Sequence, residues 1–495
     1  MVSPFNKTNK FDLTHEVLAT YEMGKLYPNL LMEVVPGDTF DVRTECFSRF
    51  ESMIAPQMGR IDKFQYYFYV PNRILFDGWE RYITGGFDGK DNTVKPYMVS
   101  PDGGYAVGSL ADYLGIPTGV GGLRHSALPP RAYQRIFMDW FADENLMTIQ
   151  DPPMTSGLDT TTNMNLYNKC WEKDYFTNSL PTSQRGDAAY LPLATTAPVN
   201  IFKNGTQVTA VTGSQGDYGL NGAVYTTGAV QPNANVTWLA DMSSTSAVTV
   251  NQMRVTFQVQ KFMEKNMRGG ARLVEWTLSH FGVRIPDGRL QRSEFLGGNR
   301  SPVIVSAVEQ NSATVTGQTP QGNLAGRGVS AGKVCGFRKS FVEQGYIIGL
   351  VCYLPRTMYS QGLARHWSRE TRYEEYIPVF AHLGEQEVKN KEIYAQGTDA
   401  DNNTFGYQDR YNELRHQSST IHGLFRPGQS LNYWTLGRQF NSLPALNAQF
   451  VTSDPSNRIF AVQDATDHIE AQFLHHVNAL RPIPKFGNPG LIDHD

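Results

Sequence analysis

The sequence predicts a mainly β chain in which one β core is interrupted by a very long insertion. Three observations lead there. Phe64, Tyr66, Phe68 and Val70 alternate with Lys63, Gln65, Tyr67 and Tyr69, the period of a strand with one face on a core. Strands of the same kind return only at 302–308 and 346–354. Gly (45), Pro (27) and a 12% aromatic share favour strands, turns and long loops over a helical bundle.

Taken in order, residues 1–29 are polar and irregular and read as an N-terminal arm. Extended runs at 30–35 and 39–47 flank Pro36-Gly37-Asp38. Proline fixes φ there and glycine accepts positive φ, so a tight turn is expected. With 62–70 these make three early strands, the last ended by Pro71, which cannot donate to a ladder. Leu75, Trp79 and Tyr82 recur at helical spacing and predict one short helix. Residues 85–130 read as glycine- and proline-rich loop with a short helix near 109–114. Tyr133, Ile136, Phe137, Trp140 and Phe141 predict a packed helix over 130–145. The stretch 86–190 is therefore a loop and helix insertion, and 30–85 with 300–495 is a discontinuous core.

Residues 191–250 change character. Lys203, Asp217 and Asp241 are their only charged residues, although charged residues make up 18% of the chain. Asn204-Gly205 sits between 199–203 and 207–211, and Asn221-Gly222 lies between runs holding Tyr218 and Tyr225. Asn-Gly supplies both positive-φ residues of a type I′ turn, so a small projecting β meander is expected. A helical return segment, 251–299, follows. Its first helix, 251–269, carries Met253, Phe257, Lys261 and Lys265 on one stripe and closes at Gly269-Gly270. The second, 272–281, is expected to bury Val274, Leu278 and Phe281. Residues 345–354 are nearly all apolar, which fits a strand covered on both faces. The Gln-, Gly-, Ser- and Thr-rich stretch 310–332 reads as loop, 431–436 and 459–462 as strands, and 481–495 as a tail laid on a neighbouring surface.

The composition excludes several classes. No run of about 18 apolar residues exists, so no membrane span is expected. The N-terminus lacks the apolar stretch of a secretory signal, which points to synthesis in a cytosol. Cys46, Cys170, Cys335 and Cys352 are scattered and read as buried free thiols. A net charge of -3 argues against coating DNA by bulk charge.

Motifs for chemistry are sparse. Gly326–Lys333 approaches a phosphate loop, but Arg327 stands where glycine is needed and Val334 where Ser or Thr is needed. The eleven histidines include no His-Glu-x-x-His, and His475-His476 read as helix neighbours pointing apart. There is no Gly-x-Ser-x-Gly elbow. One constellation has content: Arg356, Arg365, His366, Arg369 and Arg372 interleave with Tyr359, Trp367 and Tyr373. Guanidinium groups pair with phosphates and aromatic faces stack on unpaired bases. Arg and Trp are also enriched where subunits meet. Both readings stand: a nucleic-acid-facing inner surface, or an inter-subunit contact.

Pro36-Gly37-Asp38-Thr39, the run from Phe68 to Leu75, and Trp79 resemble the N-terminal signature of microvirus major capsid proteins. A longer match is Phe281-Gly282-Val283, then Pro286 and Asp287, Arg289, Leu290, Gln291 and Arg292, Glu294, and Leu296-Gly297-Gly298. Thr319-Pro320-Gln321-Gly322-Asn323, Gln361-Gly362-Leu363, Leu383-Gly384-Glu385-Gln386, Gly406-Tyr407-Gln408 with Arg410, and the ending from Pro489 to His494 follow in order. The chain is most similar to the gokushovirus branch of these small single-stranded DNA phages, over roughly 20–190 and 251–495. Ser293 and Phe295 stand where that family has proline and tyrosine.

The resemblance implies a single eight-stranded antiparallel jelly roll of the viral capsid type with large loop and helix insertions. It implies pentamers and a T=1 icosahedral shell around circular single-stranded DNA. Residues 191–250 would be a protrusion at three-fold axes that meets a host cell-surface receptor. The implied partners are an internal scaffolding protein, a DNA pilot protein and a small basic DNA-binding protein. The implied location is the virion, assembled in the host cytoplasm, with no cofactor, metal or catalytic residue. The alternative is an aromatic-rich β-sandwich that binds or hydrolyses polysaccharide.

Overall fold

A computed structural model describes residues 8–88, 90–187, 199–203, 206–208, 236–240, 250–269, 272–289, 291–317, 320–332, 334–463 and 467–485. The chain divides into two units, 1–183 with 268–495, and 184–267.

The larger unit is an antiparallel β-sandwich. Its strands are β1 (Asn9–Asp12), β2 (His15–Tyr21), β3 (Tyr27–Val34), β4 (Thr39–Phe50), β5 (Ile61–Pro71), β6 (Glu294–Pro302), β7 (Ile304–Glu309), β8 (Leu324–Ala331), β9 (Cys335–Ser340), β10 (Gly345–Pro355) and β11 (Ile469–Arg481). One sheet runs β1-β11-β4-β8-β7, with β2 also on β11 and β9 also on β4; the other runs β6-β5-β10-β3. Each sheet takes strands from both ends of the sequence, with the long insertion between them.

Alternation explains the inner faces. In β4, Phe40, Val42, Cys46 and Phe50 point inward while Arg43, Glu45 and Arg49 point out. They meet Tyr67, Tyr69, Ile347, Val351 and Tyr353 of the facing sheet. Every residue of β10 is buried, because a helix covers its second face. That helix, α1 (Leu128–Trp140), presents Leu128, Ala132, Tyr133, Ile136 and Phe137 to Phe68, Ile348 and Leu350. It is pinned by Arg131, whose guanidinium bonds Asp159 at 2.8 Å with both side chains fully buried. The Pro36-Gly37-Asp38 turn forms, with Gly37 at φ 92. The Asp38 carboxylate accepts from Val35 N–H and from Arg481 at the end of β11, each at 2.8 Å.

A polar thread crosses the sandwich. Gln65 donates to Tyr67, and Tyr67 donates to Thr44 at 2.6 Å. Thr44 meets Nδ1 of His475 at 2.8 Å, and Nε2 of His475 meets the Asn29 carbonyl at 2.9 Å. The carbonyl can only accept, so Nε2 carries the proton and Nδ1 accepts: the ring is neutral.

Several expectations are corrected. Residues 9–21, expected as an irregular arm, form β1 and β2, paired with β11. As strands at a sheet edge they keep many residues exposed and so look polar. The stretch 310–332 is not all loop, since β8 lies within it. Its glycines answer close packing: a Cβ at Gly326 would stand 2.5 Å from the Ala55 carbonyl oxygen. Gly326 to Ala331 of the phosphate-loop lookalike therefore fall on this strand, and its Lys333 lies outside the described residues. Residues 431–436 and 459–462 are not strands. Asn432–Trp434 is a 3-10 turn, and Ile459 and Phe460 are buried plugs under β11. His475 and His476 sit on a strand, one fully buried and one outward. Helix α3 (Leu273–Phe281) leaves Leu278 and Phe281 exposed rather than buried. Helix α2 (Val250–Gly269) precedes it.

In the smaller unit, Val199–Lys203 pairs antiparallel with Thr206–Val208, Lys203 opposite Thr206, and with Val236–Ala240. The turn residues Asn204 and Gly205, and the second expected hairpin with Tyr218, Asn221, Gly222 and Tyr225, lie outside the described residues.

Burial, and then the His15 ring 5.2 Å away, push the His475 pKa down from 6.5 to about 4. The unfolded chain therefore binds a proton that the folded one refuses. The resulting stability is intact above pH 6.5 and drains away as pH falls toward 4, by about 3 kcal/mol in full. Denaturant unfolding between pH 7 and 4 is expected to show this slope, and His475→Gln to flatten it.

Candidate assembly surface

The arginine and aromatic cluster leaves the sandwich at the end of β10. Arg356 Nε stands 3.6 Å from Asp62 and 3.4 Å from Glu172. Asp62 is almost wholly buried and also takes Arg60 at 2.8 Å and Arg300. Burial alone would raise its carboxyl; the hydrogen bonds from Arg300 and Arg60 override that and hold it below the usual range.

Arg365, in the short turn Arg365–Trp367, reaches the Glu387 carbonyl at 2.6 Å, Glu392 at 3.0 Å and Glu413 at 3.8 Å. Arg369 bridges Glu375 at 3.1 Å and Glu413 at 3.0 Å. These two guanidinium groups are only 15% and 11% exposed. Burial pushes the Glu392 carboxyl up, with Arg365 pulling part of that back and Tyr175 donating to it at 2.9 Å.

The cluster thus splits in two. Arg356, Arg365 and Arg369 are tied to carboxylates of their own chain and hold the loop's shape. His366, Trp367 and Arg372 point outward, with Trp367 73% exposed. Arg372 lies over the Tyr373 ring at 4.8 Å. The same segment leaves Tyr373, Tyr376, Ile377, Val379 and Leu383 exposed. Exposed apolar and aromatic side chains along one segment, with the neighbouring arginines neutralised from behind, suit a protein partner better than a phosphate backbone.

The long signature segment is a clamp. Asp287–Arg289 forms a 3-10 turn after Pro286, and Gln291 takes φ 55. Burial raises the Asp287 carboxyl although Arg292 stands 3.4 Å away. Arg292 lies over the Trp140 ring at 4.0 Å, Gln291 accepts from Arg73 at 2.9 Å, and Glu294 pairs with Lys339. Leu290 lies outside the described residues. Ser293 donates both its N–H and its hydroxyl to Asp139 at 2.8 Å. A proline there could make neither bond. Of these partners Arg73 lies in the run from Phe68 to Leu75, while Asp139, Trp140 and Lys339 carried no motif of their own; only proximity in space links them to the clamp.

Among the described residues, no group of three or more His, Cys, Asp or Glu is placed to hold a metal ion. No helix is long and apolar enough to cross a membrane.

A rigid sandwich whose long loops end in outward aromatic surface defines a structural subunit that works by meeting other chains. The chain belongs to the phage family described as Capsid protein (F protein), which it matches over residues 3–491. It is 35% identical to Capsid protein VP1 of Chlamydia phage 1, covering 98% of this chain and 96% of that one. It is 36% identical to Capsid protein VP1 of Bdellovibrio phage phiMH2K (97% and 95%) and 32% to that of Spiroplasma virus 4 (98% and 95%). As a phage capsid protein of the microvirus type, its place is the virion and it assembles with copies of itself.

Glu413 serves both inner arginines, so Glu413→Ala is expected to loosen the whole loop. Hydrogen exchange should rise across 363–383 while β4 and β10 keep their protection. Ser293→Ala removes both the hydroxyl's bond to the Asp139 carboxylate and the one Trp140 donates to it, and should cost about 2 kcal/mol in denaturant unfolding.

Proposed function

We propose that this chain is the tile of a T=1 icosahedral shell, built through pentamers, around a circular single-stranded DNA genome. The observation that carries this is the family match over residues 3–491, combined with a sandwich that leaves large apolar side chains exposed on loops, strands and helices alike, among them Trp367, Val379, Ile304 and Leu278. Loops this long gain order when copies cover them. On this reading the surface around Trp367, Arg372 and Val379 meets a sister subunit, and Arg365 and Arg369 shape that surface from inside. The genome's charge then falls to a small basic DNA-binding partner, in keeping with a net charge of -3. A scaffolding protein and a DNA pilot protein complete the set, with assembly in the host cytoplasm.

The insertion 191–250 is the reading's outer face: a protrusion at the three-fold axes that touches a host receptor. Its support is a near absence of charge over a length where neighbouring stretches are rich in it. The alignment with the Chlamydia phage 1 protein spans 574 positions against 495 residues here, so chains of this family differ in length by insertion.

Expression with a scaffolding partner, followed by electron microscopy, tests the shell; a monomer that never forms particles contradicts it. Trp367→Asp is expected to cut particle yield at least about tenfold while leaving the melting temperature unchanged, because an exposed position rarely matters to folding. Deleting 204–225 should leave particle yield intact and reduce attachment to host cells.

A further inference from the structure

The larger sheet ends on a strand with an open side. β7 stands last in the order β1-β11-β4-β8-β7, and among the described residues no strand pairs with its outer edge. Of its residues only Val305 is half-buried; Ile304 is 68% and Val308 49% exposed. Its pairing with β8 runs without a bulge, and it contains neither proline nor lysine. Those are devices by which proteins keep an open edge from taking another strand. An apolar edge left flat and unguarded is a template for pairing with a second chain.

Two contacts fix which backbone groups face out. Gln310, just past the strand, points its N–H toward β8 and reaches the Asn323 carbonyl at 3.0 Å. Gly326, directly opposite Ala307, turns its own N–H and carbonyl the other way, to Met53, at 3.1 and 2.9 Å. Alternation then puts the N–H and C=O of Ile304, Ser306 and Val308 on β8, and those of Val305, Ala307 and Glu309 on the open edge.

That parity limits how a second copy can pair. In an antiparallel ladder, residues whose backbone groups face the partner stand opposite one another. The register that fits best places Ser306 on a two-fold axis, opposite its own counterpart. Val305 of each copy then faces Ala307 of the other, exchanging about four hydrogen bonds across the axis. Ile304 faces Val308, so the two most exposed apolar side chains of the strand cover each other. Glu309, the strand's only charge, falls at the two far ends and never meets itself. Centring on Ala307 instead would set Glu309 against Val305 and leave Ile304 without a strand partner. A contact in which each copy offers the same strand closes after two copies.

We propose that β7 is a two-fold interface between copies of this chain, joining two sandwiches edge to edge into one continuous sheet. The proposal deepens the shell reading and rests on it, because an icosahedral shell supplies two-fold axes.

The test uses the full chain, expressed with a scaffolding partner. Opposed residues of a non-hydrogen-bonded pair lie about 4.5 Å apart at Cα, close enough for a disulfide. After oxidation, particles of Ser306→Cys should run as covalent dimers on a non-reducing gel, and those of Glu309→Cys as monomers. The four native cysteines are buried and take no part. Ala307→Pro removes an N–H that the subunit's own ladder does not use. Its melting temperature should hold while particle yield falls at least about tenfold. Wild-type chains that make no particles overturn the shell reading and this contact together. Particles of Ser306→Cys that stay monomeric, or an unchanged yield from Ala307→Pro, overturn the contact alone. Slow hydrogen exchange at β7 in such monomeric particles would then assign the edge to a different chain.

Discussion

The pairing of β11 with β4 is the constraint on which the rest of this molecule depends. Its register runs without a break from Ile469 opposite Phe50 to Leu480 opposite Thr39. It joins the two ends of the sequence and gives β1 and β2 an edge to dock on. It also aligns His475 with Thr44, so that the polar thread can cross to Asn29, and sets Arg481 beside Asp38. Remove that pairing and the seven-stranded sheet has no middle.

How much of this was legible depended on where each side chain's partner lay. The alternation of 63–70 and the unbroken apolarity of 345–354 both marked strands. The one exposed face expected of 63–70 is corrected: β5 is buried on both faces, Lys63, Gln65, Tyr67 and Tyr69 included, because it lies inside its sheet with α1 over one side. The Pro-Gly-Asp turn was visible because its signal is local. By contrast, β11 reads His-His-Val-Asn-Ala-Leu-Arg near its end, and its polar members are satisfied only by residues more than 400 positions away. Ile459 and Phe460 show the converse error: apolar residues signalled burial, but as plugs. In β8 the glycines looked like loop and serve close approach to Ala55 and Phe50.

The candidate surface was half legible. Sequence placed arginines and aromatics together but could not see Glu392 and Glu413, which turn Arg365 and Arg369 inward. A guanidinium already held by two carboxylates has little left for an outside anion. What remains outward, Trp367 with Tyr376 and Val379, is the chemistry of protein contact. The division is plain: ion pairs fix the loop from inside and apolar side chains stay on its outer face. The clamp at 286–294 does similar work for the core, joining α1, β5 and β9 through residues that no motif connects.

The closing strand also has a consequence for biosynthesis. β4 emerges from the ribosome more than four hundred residues before β11 does, and the half-made polypeptide must wait with that edge open. Domains with such distant pairings fold slowly and expose sticky edges meanwhile. The sheet therefore stays open until β11 has been made, and a product truncated before that strand cannot close it.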